Sequence, residues 1–322
     1  MTAMTDDTLP VTPRTLRDEM IAFGIMTALL LIVPLTGVYP FFVMQALCFA
    51  LLACAFNLLI GYGGLLSFGH AMFLGTAGYI TAHALKVWGF TPELGILIGT
   101  AGAAGLGVIT GLVAIRRLGI YFAMITLALS QLLYFIYLQT PFTHGEDGIQ
   151  GIPQGHLFGL FNLANPTVLY YVILAGFLFG FLVIFRTINS PFGEVLKAIR
   201  ENEARAISLG YKTDRYKLVA FVLSATLAGL AGSTKAIVLQ IASLTDVDWP
   251  MSGEVVLMAL VGGLGTVFGP VAGAFIVVAM QNYLAQVGQW VTVIQGVIFV
   301  VCVLAFRRGV IGEIAHYLRI KL

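Results

Sequence analysis

Charge is scarce in this sequence. Asp, Glu, Lys and Arg make up 10% of its 322 residues, where a soluble domain carries about 25%, and hydrophobic residues make up 59%. So few charges exclude an ordinary water-facing surface and point to an all-α polytopic membrane protein. The net charge of +2 is distributed by side rather than gathered into a basic face, so nucleic acid is not an expected partner. Cysteine is nearly absent. Cys48, Cys54 and Cys302 sit in apolar stretches without paired ligand spacing, and they read as small buried hydrophobes, not as disulfides or metal ligands. There is no Gly-Lys dipeptide anywhere, hence no phosphate-cradling G-x-x-x-x-G-K-[ST] loop. The chain cannot hydrolyse ATP alone, and no cofactor is expected on it.

Ionisable groups are also missing from the apolar stretches. Only Glu254, Lys235, His70 and His83 are candidates for a coupling group of the kind that proton- or sodium-driven transporters need. Any uphill transport must therefore draw its energy from elsewhere. An acid–base set for membrane catalysis is likewise not visible. His144, Glu146 and Asp147 form a compact group, but in a glycine-rich turn region where contact with a partner is the favoured role over catalysis.

What the chain does have is long apolar runs. A spanning helix needs about 20 mostly apolar residues, and ten candidates emerge: 20–38, 41–60, 67–85, 94–115, 119–138, 166–185, 218–239, 250–263, 269–287 and 290–306. The eighth is too short to cross comfortably and is kept as a partial or thin-membrane crossing. Basic residues are retained on the cytoplasmic side. With the N-terminus inside, all of the 17 Lys and Arg except Lys86 and Lys235 fall on that side, while Glu93, Glu146, Asp147, Asp246 and Asp248 face out. Both termini are thus expected in the cytoplasm, with tails at 1–19 and 309–322, a membrane-spanning body at 20–308 and an exterior loop at 139–165. The first 19 residues lack the pattern of a secretory signal, so the first span is expected to be kept.

Two departures from continuous hydrocarbon stand out. The first is residues 186–217, RTINSPFGEVLKAIRENEARAISLGYKTDRYK, a polar segment on the cytoplasmic side. Phe192, Val195, Leu196 and Ile199 recur at helical spacing while Glu194, Arg200, Glu201 and Arg205 point elsewhere. Ser190 is placed to cap this helix, Pro191 to open it and Gly210 to end it. Such a helix either joins two spans or offers a handle to a soluble protein. The second departure is glycine, 37 residues in all, clustered at Gly61, Gly63, Gly64 and Gly69 and again at Gly262, Gly263, Gly265 and Gly269 before Pro270. These clusters permit close helix packing, or broken helices along a transport path. For the path the expected residues are Asn57, Gly64, Ser67 and His70 with Gly262, Gly263, Gly265 and Thr266. A lone histidine such as His70 is more simply a hydrogen-bonded structural group than a proton relay.

Several of these segments resemble one family. NLLIGYGGLLSFGHAMF from Asn57, THGEDGIQGIP from Thr143, AIRENEARAISLGY from Ala198, FVLSATLAGLAG from Phe221 and GGLGTVFGP from Gly262 occur in the order found in inner-membrane permeases of branched-chain amino acid ABC transporters, of the LivM type. His144 stands where the family commonly has glycine, and Ala77-Gly78 reverses a frequent order. The resemblance implies a subunit in the bacterial inner (plasma) membrane that works with a second homologous permease chain, two ATPase subunits that use the ATP, and a periplasmic substrate-binding protein. It implies further that Phe192, Leu196, Ile199, Arg200, Glu203, Arg205 and Gly210 belong to the ATPase-coupling element, with the apolar face in a groove of the ATPase. His144, Glu146 and Asp147 would then meet the binding protein. Urea, short amides or other amino acids remain alternative cargoes, and a stand-alone channel remains an alternative class.

Overall fold

The computed structural model of the protein describes residues 16–284 except 36, 38 and 160, together with 293, 294, 296, 297, 300 and 309. Eleven α-helices lie in this stretch: α1 (Leu16–Ile32), α2 (Pro40–Asn57), α3 (His70–Lys86), α4 (Pro92–Ala114), α5 (Ile120–Gln139), α6 (Pro166–Ile188), α7 (Pro191–Glu201), α8 (Glu203–Ser208), α9 (Thr213–Leu239), α10 (Trp249–Gly262) and α11 (Gly269–Leu284). Nine of them fall on the first nine apolar runs; α7 and α8 occupy the polar segment. The expected run at 290–306 and both tails lie largely outside the described residues. Five helices are long and apolar enough to cross a membrane, counting α2 with the π turn Leu58–Tyr62 that continues it. The chain is thus an all-α polytopic membrane protein.

Proline opens many of these helices. α2, α4, α6, α7 and α10 each carry Pro in the first turn, where its missing N–H would be unpaired anyway and its fixed φ suits the helix. Side chains complete several starts. Asn165 Oδ1 accepts from the Thr167 N–H at 3.0 Å, and Asp248 Oδ1 accepts from the Trp249 N–H at 2.8 Å, each satisfying a donor that the helix cannot.

At the centre lies α2, buried along nearly its whole length, wrapped by α6, α9, α10 and α11. A second packing unit joins α3, α4 and α9 through small residues. A Cβ at Gly232 would overlap the Leu74 carbonyl, one at Gly229 the Ala103 side chain, and one at Gly107 the Ala225 side chain. Lipid tails are as apolar as leucine, so close backbone approach, not hydrophobic exclusion, holds such helices together. By contrast α4 and α5 bury little of themselves and present Leu97, Ile109, Met124, Leu132 and Phe135 outward.

Short strands tie the connections at one end. β1 (Ile149–Gln150) pairs antiparallel with β4 (Ile241–Ala242), and β2 (His156–Leu157) with β3 (Phe161–Asn162). From β4 the chain turns back into the protein. Ser130 Oγ donates to the Val247 carbonyl and Gln131 Nε2 to Asp248 Oδ1, both at 3.2 Å, so α10 starts beside the middle of α5. That depth accounts for its 14 residues: at about 1.5 Å per residue it needs to cover only the remainder of the thickness.

Candidate functional site: two helix breaks above a polar helix pair

The first break begins where α2 loosens into the π turn Leu58–Tyr62. Residues 64–67 then run without helix until α3 starts at His70. Gly64 has φ +68, a conformation that any Cβ disfavours, and it turns the chain out of α2. The second break, 263–268, separates α10 from α11. A Cβ at Gly262 would overlap the Gly269 carbonyl, so the two helix ends cross with their backbones touching.

Asn57 joins the two breaks. Its Nδ2 donates to the Thr266 carbonyl at 2.8 Å and its Oδ1 accepts from the Gly265 N–H at 2.9 Å. A carboxamide, with one donor end and one acceptor end, suits this pair of backbone groups. Thr266 Oγ1 donates to the Gly263 carbonyl at 2.8 Å and accepts from the Gly269 N–H at 3.1 Å. The expected path residues Asn57, Gly262, Gly263, Gly265 and Thr266 therefore do come together. Their polar groups, however, are spent on one another.

Ser67 and His70 belong instead to the entry into α3. Ser67 Oγ accepts from the Gly69 N–H at 3.3 Å. His70 is fully buried, lies edge-on to Phe56 and Phe73, and pairs through Nε2 with Ser224 Oγ at 2.8 Å; Ser224 in turn donates to the Ala55 carbonyl at 2.6 Å. This is the structural role expected of a lone histidine. Of the proposed path residues, Gly64 lines a cleft of about 650 Å³. Its other walls include Leu65, Phe68, Ile120, Phe122, Met124 and Trp249. Sequence reasoning missed the start of α5 and Trp249 as walls, since nothing in their apolar runs marks them out.

Beneath the breaks lies the polar segment. Ser190 Oγ accepts from the Gly193 N–H at 3.3 Å, Pro191 opens the helix, and Gly210 ends it with φ +90, as expected. A single helix does not continue between them. Asn202 adopts φ −156 and ψ 95, which ends α7, and its Oδ1 accepts from the Arg205 N–H at 3.0 Å, which starts α8. The break follows from asparagine's strong preference for the N-cap over the helix interior. Glu203 forms a salt bridge with buried Lys217 of α9, and Phe192 stacks on Tyr216.

The apolar face is real, but it is already occupied. Leu196 and Ile199 are 0% and 3% exposed, packed under the protein's own membrane helices. The groove that they were expected to fill on an ATPase is thus supplied by this chain. Ile207 and Leu209, 56% and 69% exposed, are the apolar side chains left open, next to exposed Arg205 and Tyr211. At the opposite end, His144, Glu146 and Asp147 are exposed. His144 takes φ +60, a backbone shape that histidine tolerates better than most residues.

Two charges that the basic-residue count left unexplained are also placed. Lys235 forms a buried salt bridge with Asp246 and lies over the Phe49 ring, and Lys86 Nζ donates to the Gln150 carbonyl at 2.6 Å. Among the described residues no cluster of His, Cys, Asp and Glu could hold a metal ion.

Residues 39–304 match the family described as branched-chain amino acid transport system / permease component. The chain belongs to this family. Among relatives of this permease family member, the high-affinity branched-chain amino acid transport system permease protein LivM of Escherichia coli K12 is 27% identical over 85% of this chain and 70% of its own length. Its counterpart in Salmonella typhimurium LT2 is 25% identical over 86% and 71%. The ribose import permease protein RbsC of Bacillus subtilis 168 is 29% identical over half of each chain. No solved structure matches the permease at a significant level.

Proposed function

We propose that this permease is one membrane subunit of an ATP-binding-cassette importer that moves branched-chain, aliphatic amino acids into a bacterial cell. It works with a second, related permease chain, two separate ATPases and a periplasmic binding protein. The observation that carries the reading is the combination of family membership across 39–304 with α7 and α8, a helix pair sealed to the membrane body on one side and open on the other. A helix of that kind can receive a push from a soluble partner and pass it on. The ATPase would seat on Ile207, Leu209 and Tyr211, with Arg205 setting orientation at the rim. The binding protein would meet His144, Glu146 and Asp147. In this orientation α7 and α8 lie inside, the 139–165 loop lies outside, and ten spans place both termini in the cytoplasm.

The chain would contribute shape change, not chemistry. Alternate states of the two breaks would open the membrane body to one side and then the other, and the mostly apolar cleft beside Gly64 suits an aliphatic side chain. The likeness to a ribose import permease over half its length keeps other small solutes in view as cargo.

The test is reconstitution of this permease with its partner subunits in liposomes, followed by uptake of labelled leucine, urea and ribose. ATP-dependent leucine accumulation is expected, with none by the purified permease alone. Leu209→Asp is expected to leave the chain folded while reducing ATPase recovery in pull-down by about tenfold, as for a central apolar contact worth over 1 kcal/mol. Leucine flux through the lone chain, or full ATPase recovery with the Asp variant, would overturn the reading.

A further inference from the structure

Two side chains of α7 reach the first break: Lys197 lies over the Tyr62 ring, and Arg200 bonds the backbone. Arg200 Nη1 donates to the Gly61 carbonyl, one of the last carbonyls of the α2 and π-turn run, where a helix has no internal donor left to offer. The stem of Arg200 lies against Gly64: a Cβ there would sit 2.8 Å from Arg200 Cγ. Gly61 in turn is pressed on the second break, where its own Cβ would meet Gly265 N at 2.8 Å and Asn57 Oδ1 at 2.5 Å. The Asn57 amide then holds Gly265 and Thr266. A continuous run of contacts leads from α7 to both breaks.

We propose that Arg200 is the positioning residue that transmits displacement of α7 to the Gly61–Gly64 break and, through Asn57, to the 263–268 break. This rests on the reading of α7 and α8 as the element that an ATPase moves. Two features make the role specific to this side chain. Leu196 and Ile199 fix α7 to the body by apolar packing, which has no preferred direction of pull, whereas a charged donor on a single carbonyl does. Arg200 as a whole is exposed, so it can follow α7 without first being unpacked from a core. Glycine at 64 leaves room for the Arg200 stem, and glycine at 61 lets the second break press against the first, which a side chain at either position would deny.

The experiment compares the assembled importer in liposomes carrying Arg200→Met, Arg200→Lys or no change, reading ATPase recovery, ATP hydrolysis and leucine uptake together. With Arg200→Met, recovery and hydrolysis are expected to stay near the unmodified importer while uptake falls about tenfold, the size of coupling losses seen when a transmitting contact is cut. Arg200→Lys, which keeps a cationic donor on a long stem, is expected to regain part of that uptake. Spin labels placed on Ala198 and Leu264 supply a second readout. On ATP addition both should move in the unmodified importer, and only the label on α7 should move in Arg200→Met. Uptake unchanged in Arg200→Met, or both labels still moving together, overturns the inference. Loss of ATPase recovery in Arg200→Met also overturns it and assigns the residue to docking. If the unmodified importer shows neither ATPase recovery nor uptake, it is the proposed function that fails; joint movement of the labels in the unmodified importer is the separate check on Arg200.

Discussion

A buried charge is tolerable in hydrocarbon surroundings only if its partner is fixed beside it, and Lys235 with Asp246 meets that condition. Removing one member strands the other. Lys235→Met or Asp246→Asn is expected to destabilise the protein by about 3–5 kcal/mol, whereas the double change Lys235→Met with Asp246→Leu should restore most of that. Denaturant unfolding in detergent micelles, run as a double-mutant cycle, measures both. The pair shows what residue-level reading of the sequence could reach. Lys235 was visible as an exception to the basic-residue count and Asp246 as an exterior acid, but their meeting depends on the turn after β4 that carries Asp246 back toward α9. Asn57 is similar: its polarity inside an apolar run marked it, while its partners, Gly265 and Thr266, lie more than 200 positions away in sequence.

Among the elements, helix existence was the most legible feature, because apolar run length translates directly into a spanning helix. The start of α7 was readable from Ser190 and Pro191. Less legible was where a helix stops being one: the π turn after Asn57 depends on the second break packed against it, and Asn202, whose own cap preference divides α7 from α8, is one polar residue among many in its segment. The amphipathic pattern of α7 identified which side chains form a face, yet could not say which protein covers it. Glycine was ambiguous for the same reason, and the structure separates its uses. Gly232 faces the Leu74 backbone, while Gly253 of α10 has nothing within 4 Å of an added Cβ. Gly232→Val should therefore push α3 from α9 and cost several-fold in folded yield, consistent with overpacking penalties of about 1–3 kcal/mol. Gly253→Ala should be neutral or slightly stabilising, since alanine is favoured over glycine within a helix by about 1 kcal/mol. Size-exclusion profiles and thermal unfolding of the two variants distinguish them.

For the whole molecule the decisive matter is sidedness. Charge distribution predicts the 139–165 loop outside and α7 and α8 inside, and the structure sets the β1–β4 pair and the α7–α8 pair at opposite ends of α9. Cysteine introduced at Glu146 should react with a membrane-impermeant maleimide in intact cells, and cysteine at Ala204 only after the membrane is opened. Cys48 and Cys54 are buried and should add little background. Labelling of Ala204 from outside would invert the orientation and remove the basis for an ATPase seat there.

The central place of α2 also has a temporal side. This helix leaves the ribosome early, whereas α9 and α11, which enclose it, follow more than 150 residues later. Until they arrive its apolar flank can rest comfortably in lipid, but the Asn57 amide must wait for the loop at 263–268 without the mates that finally satisfy it. The nascent permease thus carries an open polar latch through most of its synthesis, closing it only when nearly the entire chain has been made.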